Sequence, residues 1–339
     1  MSNDSSLSNM FFSGRTVLIT GGTGSLGREL IRYFLAHENP EKVICLSRRW
    51  QEQESLRREF DSPKLRTFIG DVRDMDRMLL ALDGVDYVIH TAAIKSVVDC
   101  EYSPMEAVQT NVMGSWNVLR AAIECNVKRV MVVSTDKCVQ AVNVYGKSKA
   151  MMESLSIASN AYAGKKQVRF SIARYGNVAG SSGSVVPLFR DQIHRTGIVT
   201  VTNPGMTRFF IKMEDAVEFV VTCLKKMEGG EIFVPKLKST TIELLIDTFA
   251  RVYPKRTFTV KEIGIRPGEK IHEWMIASDE ESHTRDLGWA YCVEPQFPFW
   301  GKIKRGMEFV KADFGGQGYT SLTAPRFTLD ELEALIKNV

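Results

Sequence analysis

Short apolar segments recur along the first half of the chain, and stretches with helical spacing of apolar residues separate them. The apolar segments span residues 16–20, 42–46, 65–69, 86–90, 129–133 and 168–175. Helical patterns cover 28–37 and 112–125, and a further helix is expected from about Tyr145. Apolar strands that alternate with helices are typical of a parallel sheet covered on both faces. The pattern therefore predicts an α/β fold with a doubly wound parallel sheet.

From about residue 187 the alternation becomes irregular, which predicts a smaller C-terminal α/β region that binds substrate and ends in a helix over 328–337. The expected division is a flexible tail (1–12), a main nucleotide-binding domain (13–186, with a return segment at about 212–235) and the substrate-binding region (187–211 and 236–339).

A glycine-rich turn joins the first strand to the first helix. Its glycines have GxxGxxG spacing, a variant of the dinucleotide fingerprint. Glycine permits a tight turn and close approach of the backbone to a pyrophosphate, and the helix start supplies amide groups. We expect a dinucleotide to contact this turn, and a purely structural turn is the alternative. The candidate residues are Gly21, Thr23, Gly24, Ser25, Leu26 and Gly27.

The second strand ends in Ser47, Arg48 and Arg49, about 20 residues after the turn. At this place a carboxylate normally accepts the ribose 2′-hydroxyl of NAD. A hydroxyl and two guanidinium groups suit a 2′-phosphate instead. The predicted cofactor is therefore NADP, and two solvated surface arginines are the alternative.

The third and fourth strands end in further candidates for cofactor binding. Asp71 and Val72 are expected to contact the adenine, although Asp71 capping the next helix is the alternative. Ala92 and Ala93 are small enough to let the cofactor lie close to the backbone.

Three polar residues near the fourth strand have different expectations. His90 is expected to pack in the core, whereas Lys95 is expected at the cofactor or the substrate. Asn111 is expected to open the helix 112–125, and its side chain is either structural or holds a water near the site, so it is kept as a cofactor candidate.

Tyr145 and Lys149 stand four residues apart and share one face of their helix. A lysine ammonium beside a phenol favours the tyrosinate, which makes Tyr145 a candidate acid/base for a hydroxyl that becomes a ketone. Thr135 is expected to hold the same substrate oxygen. A helix with a surface tyrosine and lysine is the alternative.

Asp136 and Lys137 form a second candidate acid/base pair just before that helix. They follow the strand 129–133 at its carboxyl end, where ligands bind in open parallel sheets.

The sixth strand leads into a Gly/Ser-rich loop that is expected to contact the nicotinamide and the substrate. The candidates there are Tyr175, Asn177, Val178, Ser184 and Val185.

Two later loops carry arginines that suit a substrate diphosphate. Arg208 with Thr207, and Arg266 with Glu269, are the candidates, and solvated surface arginines are the alternative.

Composition narrows the class of protein. Hydrophobic residues make up 44% and charged residues 25% of the 339 residues, as in ordinary globular proteins. A net charge of +4 gives no argument for nucleic acid, and no apolar run reaches membrane-spanning length. The polar first ten residues do not resemble a signal peptide. The six scattered cysteines predict buried thiols in a reducing cytoplasm, and no metal site is predicted.

The motifs together resemble the UDP-N-acetylglucosamine 4,6-dehydratase (C5-inverting) family of extended short-chain dehydrogenases/reductases. The matching segments are STDKCVQAVNVYGKSK, RYGNVAGSSGSVVPLF, NPGMTRFFI and GIRPGEKIHEWM. The Asp136-Lys137 pair discriminates the family, because the related dTDP-glucose dehydratases have Asp-Glu and ordinary epimerases have neither. A membrane-associated branch carries Met in place of Tyr145, so the soluble branch fits better. Cys138 and Gln140-Ala141 depart from the usual Ala and Asn-Pro.

The resemblance implies a Rossmann fold, NADP, a UDP-sugar substrate and a homo-oligomer, from dimer to hexamer. It also implies that Tyr145, with Lys149 and Thr135, takes the C4 hydroxyl proton while hydride passes to NADP. Lys137 would then remove the C5 proton, and Asp136 would protonate the leaving C6 hydroxyl.

Three other functions stay open from the sequence. A UDP-sugar 4-epimerase would use the same cofactor, and a dehydratase with further C5 epimerisation would make capsule sugars. A non-catalytic cofactor-sensing module is the third, although such modules commonly lose the tyrosine or the lysine.

Overall fold

The computed structural model describes residues 11–301 and 310–337. Most of the expected tail (1–12) lies outside this part of the chain. Within the described residues, no helix combines the length and apolar character needed to cross a membrane.

Within the described residues, the main sheet has ten strands: β1 Thr16–Thr20, β2 Lys42–Ser47, β3 Leu65–Ile69, β4 Tyr87–His90, β5 Arg129–Thr135, β6 Arg169–Tyr175, β10 Ile232–Pro235, β14 Thr284–Asp286, β15 Ala290–Val293 and β16 Val310–Lys311. Their order is β16-β14-β15-β10-β6-β5-β4-β1-β2-β3. The seven strands from β10 to β3 in this order are parallel, and β14–β16 extend the sheet in antiparallel fashion. The order 3-2-1-4-5-6 confirms the predicted doubly wound fold, with its switch point between β1 and β4.

Helices cover this sheet and the smaller region. The α-helices are Ser25–His37, Trp50–Phe60, Met75–Leu82, Val97–Tyr102, Pro104–Ala107, Ser115–Glu124, Val144–Tyr162, Val185–Arg195, Met213–Lys226, Ile242–Val252 and Leu329–Lys337. A π-helix spans Val108–Gly114, and 3₁₀ turns span Asp136–Cys138 and Glu281–His283. The last α-helix confirms the helix expected at 328–337.

The helix expected to open at Asn111 begins earlier, so that prediction is wrong. Helical structure runs from Pro104 to Glu124, and Asn111 lies in its π-helical part. Proline fits the first turn of a helix because its missing N–H would have no partner there. The Asn111 amide instead bonds the backbone of Ile94 and the hydroxyl of Ser148, which fixes the loop after β4.

Smaller sheets form the second region. β7 (Asn177–Val178), β9 (Thr207–Ile211) and β11 (Ser239–Thr241) pair with one another, as do β8 (Ile198–Val201) with β12 (Thr259–Glu262) and β13 (Trp274–Ile276) with β17 (Tyr319–Thr320). Phe189, Phe210 and Phe249 anchor a separate small core there. β10, within the expected return segment, and β14–β16, which lie beyond it, all join the main sheet.

Most of the thiols and the fourth-strand histidine are inside the protein. Five cysteines are buried and Cys125 is partly buried, which confirms the buried-thiol prediction. His90 bonds Thr20 and Ser115, and burial lowers its pKa to about 3. The histidine is a neutral core residue, as expected.

A buried ion network ties the helix Val144–Tyr162 to the sheet. The Arg174 guanidinium donates to Glu153 at 3.0 and 2.6 Å and to Glu280 at 2.8 and 2.9 Å. Burial opposes ionisation of Glu153, but Arg174 outweighs it and lowers the pKa of that carboxyl. Such a network is stable only while both charge types are present.

We expect Arg174→Met to destabilise the fold strongly, because it leaves two carboxylates without their cation. The expected loss is about 3 kcal/mol in the free energy of unfolding. Urea denaturation measures it. Arg120→Met is the matched control, since Arg120 pairs with Glu124 at the exposed surface and its removal should cost less than about 1 kcal/mol. Equal effects of the two substitutions would contradict a structural role of the network.

Candidate active site

A cleft of about 1190 Å³ opens at the carboxyl ends of the parallel strands. Most of the predicted site residues line it, including the glycine turn, both strand-end arginines, Thr135, Lys137, Tyr145 and Lys149. The sequence predicted that these residues lie together, because the carboxyl ends of parallel strands meet at one edge of the sheet.

The glycine turn packs closely against the start of the first helix. A Cβ on Gly27 would lie 2.5 Å from the carbonyl oxygen of Gly21, so a larger residue would push turn and helix apart. Gly24 begins the helix without a side-chain cap among the described residues. The first-turn amides are therefore available to an anionic ligand.

The end of β2 carries both positive and negative charge. Arg48 and Arg49 are exposed, as a group that meets a phosphate would be. Arg49 pairs at 2.5 Å with Glu52, which also accepts from the Thr23 hydroxyl at 2.9 Å. Glu52 lines the cleft and was missed from the sequence, because a glutamate in the first turn of a helix is common at surfaces.

Asp71 does not cap the following helix, so that alternative is wrong. Asp74 caps it, accepting from the Arg77 amide, whereas Asp71 binds the guanidinium of Arg73. Burial opposes ionisation of Asp71, but the Arg73 bonds lower its pKa overall.

Tyr145 and Lys149 are both buried on the cleft wall. Burial raises the pKa of Tyr145 to about 12, and the groups that oppose this are Lys137 and the Thr135 hydroxyl. Burial lowers the pKa of Lys149 to about 8, and its ammonium donates to the Val133 carbonyl at 2.7 Å. In this structure Lys137 is the cation that lowers the pKa of the phenol, and the role expected of Lys149 stays a prediction.

Asp136 lies behind the cleft wall and is fully buried. Its Oδ1 accepts from the Thr135 hydroxyl and from Lys137 Nζ, both at 3.0 Å. Its Oδ2 is buried and has no hydrogen-bond partner among the described residues. Of the described residues, the cleft lining includes Thr135 and Lys137 but not Asp136. The Asp136 carboxyl can therefore act on a ligand in the cleft only by way of these two bonded neighbours.

Lys137, unlike its partner Asp136, faces the cleft, with 22% of its side chain exposed. Its ammonium lies 3.0 Å from Asp136, 3.7 Å from Glu273 and 3.1 Å from the Asn177 side-chain oxygen. Burial lowers the pKa of Lys137, but the two carboxylates outweigh burial and raise it overall.

Three predicted binding residues are absent from the described lining of the cleft: Asn111, Val185 and Thr207. Asn111 uses its amide within the fold, as described above. The Thr207 hydroxyl bonds His272 at 2.8 Å and Ser321 at 2.6 Å, and Val185 packs on the smaller core. These residues support the walls, whereas Ser184, Arg208, Arg266 and Glu269 do line the cleft.

The Gly/Ser-rich loop is joined to both sides of the cleft. The Ser182 amide donates to the Ser25 hydroxyl at 3.3 Å, and Lys95 Nζ donates to the Ser182 carbonyl at 2.6 Å. Residues 181–184 therefore form a strap between the glycine turn and the loop after β4.

The comparison with protein families gives a match over residues 17–295 to a family described as "Polysaccharide biosynthesis protein". The chain belongs to this family. A Campylobacter jejuni protein named UDP-N-acetylglucosamine 4,6-dehydratase (inverting) is 44% identical over 285 residues, which are 84% of each chain. This relative confirms the resemblance seen in the motifs.

Two other similar proteins cover more of the chain. A Rickettsia bellii protein named UDP-glucose 4-epimerase is 38% identical over 331 residues, 97% of each chain. The X-ray structure of Pen from Bacillus thuringiensis has a TM-score of 0.90 and 35% identity, and the match covers 97% of this chain and 99% of that one. The second region is thus shared with close structural relatives.

We expect Lys95→Met to speed the release of the dinucleotide predicted for the glycine turn, because it unties one end of the strap. Loss of a charge-assisted hydrogen bond should raise the dissociation rate by about tenfold or more. Stopped-flow fluorescence of the reduced cofactor measures this rate. Lys147→Met, on the exposed side of the helix Val144–Tyr162, is the control. An unchanged rate in Lys95→Met would mean that the strap does not retain the ligand.

Proposed function

We propose that the protein is a UDP-N-acetylglucosamine 4,6-dehydratase of the C5-inverting type. The observation that carries this proposal is the Asp136–Lys137 pair, which stands at the cleft beside Tyr145 and Thr135. A relative with the same enzyme name at 44% identity supports it. The product would be a UDP-linked 4-keto-6-deoxy-N-acetylhexosamine.

The first step of the proposed reaction is oxidation at C4. Tyr145 takes the C4 hydroxyl proton, while the Thr135 hydroxyl orients the same oxygen. A nicotinamide cofactor bound at the glycine turn would supply the hydride chemistry between C4 and C6. Because burial raises the pKa of Tyr145, the phenol needs a nearby cation to lose its proton, and Lys137 and Lys149 stand on the same wall.

The second step is elimination of water across C5 and C6. A ketone at C4 acidifies the C5 hydrogen, and Lys137 is the base that removes it. The C6 hydroxyl needs a proton as it leaves. Asp136 is the proposed source of that proton. Because Asp136 lies behind the wall and bonds the Thr135 hydroxyl, its proton would pass to the cleft through that hydroxyl, which accepts one proton and donates another.

NADP is the cofactor we propose, and the cleft fits a dinucleotide. Gly27 has no side chain to shield the backbone of the turn, and the first helix begins without a side-chain cap among the described residues. The amides at this helix start would therefore be available to a pyrophosphate. Ser47, Arg48 and Arg49 line the cleft, and a hydroxyl with two guanidinium groups suits a 2′-phosphate. For this, Arg49 must exchange Glu52 for the phosphate, which is a stronger and doubly charged partner.

We propose that the UDP diphosphate binds at Arg208 and Arg266, with Glu269 and Ser184 nearby in the cleft. Arg208 is already held by the carbonyls of Thr207 and Ile271, so little side-chain freedom is lost on binding. The Ser184 hydroxyl is buried, lines the cleft and has no partner among the described residues, which leaves it available to the sugar or the cofactor.

We also propose a cytoplasmic homo-oligomer with the domain division expected from the sequence. Exposed apolar side chains support assembly: Val98, Tyr102, Met105 and Met113 lie on the successive helices between residues 97 and 114, and Tyr102 is 90% exposed. A surface of this kind is typical of protein interfaces.

A UDP-sugar 4-epimerase is the second candidate function, favoured by the Rickettsia relative, whose match covers nearly the whole chain. It would use Tyr145 and the cofactor in the same way. It gives the Asp136–Lys137 pair no task, because no C5 proton moves.

A reaction in D₂O separates the two candidates. Elimination exposes the C5 position to a protein base, so the dehydratase product should carry deuterium at C5, with the original C4 hydrogen on the C6 methyl. Lys137→Met should abolish C5 exchange and lower turnover by roughly 10²–10⁴-fold, because it removes the base and keeps the stem. Product NMR measures both outcomes.

Thermal melting of Lys137→Met is the control for folding, and Lys147→Met controls for loss of an exposed lysine. Product with an inverted C4 and an intact C6 hydroxyl would establish the epimerase instead. Deuterium at C5 at the normal rate in Lys137→Met would remove Lys137 from the mechanism.

We expect the double variant Arg48→Ala/Arg49→Ala to weaken NADP by at least about tenfold and NAD much less, because only NADP carries the 2′-phosphate. Equilibrium titration of the purified protein with each cofactor measures the two affinities. Arg58→Ala is the control, since Arg58 is exposed on the helix that follows these arginines, Trp50–Phe60, and pairs with Glu54. Equal losses for NAD and NADP would refute the choice of NADP.

A further inference from the structure

Glu273 is a buried carboxylate on the cleft wall that no sequence pattern singled out. Its backbone is fixed on both sides by Ser321: the Glu273 amide donates to the Ser321 hydroxyl, and the Ser321 amide donates to the Glu273 carbonyl, both at 2.8 Å. The residue directly precedes β13, which pairs with β17. The backbone that carries this carboxylate is therefore fixed at the cleft wall.

Two lysines flank the Glu273 carboxylate. Its Oε1 lies 3.7 Å from Lys137 Nζ, and its Oε2 lies 3.1 Å from Lys270 Nζ. Lys270 also donates to the Val139 carbonyl at 2.7 Å, so it is anchored to the turn that follows Lys137. With Asp136, these side chains form a row of alternating charges in which each cation lies beside a carboxylate.

We propose that Glu273 is a positioning residue that holds the Lys137 ammonium at the cleft, and that Lys270 limits the strength of this hold by partly neutralising Glu273. The inference rests on the proposed function only in giving Lys137 a catalytic task. The geometry itself concerns charges that are present whatever the substrate is.

The row has a chemical consequence for the proposed base. Lys137 removes a proton only in its neutral form, and a nearby carboxylate favours the charged form. The charged or titratable groups that act on Lys137 are Asp136, Glu273, Arg208 and Tyr145. Among these groups, Glu273 is the one that also pairs with Lys270. The distance between Glu273 and Lys270 therefore affects how readily Lys137 loses its proton.

Competitive acylation with acetic anhydride at a fixed pH near 9 tests the proposal without requiring activity. The neutral fraction of a lysine sets its acylation rate, and one pKa unit changes this rate tenfold. Mass spectrometry of the Lys137 peptide reads the rate. Lys149 on the same wall is the internal reference for access to the cleft.

Glu273→Gln should speed the acylation of Lys137 by about tenfold or more, because it removes a negative charge that favours the ammonium. Lys270→Met should slow it, because Glu273 then acts on Lys137 without opposition. Glu273→Asp keeps the charge and should stay near the wild-type rate. Opposite shifts in the first two variants distinguish an electrostatic role from loss of structure, which would change Lys149 as well.

An unchanged or slower Lys137 rate in Glu273→Gln, or shifts of both variants in one direction, would overturn the proposal. If Glu273→Gln does not fold, Lys270→Met decides, because it must slow the acylation of Lys137. The D₂O experiment on the wild type is separate. A protein without C5 exchange would refute the dehydratase while leaving the acylation result valid.

Discussion

Arg174 lies inside the protein between Glu153 and Glu280, and this buried network supports the turn that carries the reactive residues. Glu153 Oε1 accepts from the Cys138 thiol at 3.1 Å, and Cys138 ends the 3₁₀ turn that begins at Asp136. The cost of burying a charged carboxylate is offset mainly by Arg174. The same network therefore fixes Asp136 and the helix of Tyr145 relative to each other, since Glu153 belongs to that helix. The unusual Cys138 is accommodated because its thiol acts as a donor to this carboxylate.

The parallel part of the fold was predictable because most of its strands are buried and read as apolar runs. β1, β2 and β3 begin where the sequence predicted, and β5 extends two residues further, to Thr135. The antiparallel extension β14–β16 could not be read in the same way. Its strands have two to four residues, and Val310 and Lys311 of β16 are exposed, so neither length nor alternation marks them.

The candidate site was likewise predictable from the sequence only in part. Residues at or within two positions of the end of a parallel strand, such as Thr135, Lys137 and Asn177, line the cleft as expected. Glu273 was missed although its motif had been recognised, because its partner Lys137 is far away in the sequence and only the fold brings them together. Asn111 was placed wrongly because asparagine is a common helix start, whereas here Pro104 begins the helix.

The position of Asp136 beside Lys137 decides which proton transfers the two residues can make. Asp136 and Lys137 bond directly, so a carboxylate beside an ammonium and a carboxylic acid beside an amine differ only by one proton moved across a 3.0 Å contact. The proposed reaction needs the second arrangement, with Lys137 as base and Asp136 as acid. The Glu273 charge favours the first, and Lys270 weakens that preference. The proposed elimination therefore depends on one proton moving from the Lys137 ammonium to the Asp136 carboxylate, and the Glu273–Lys270 pair affects the cost of that transfer.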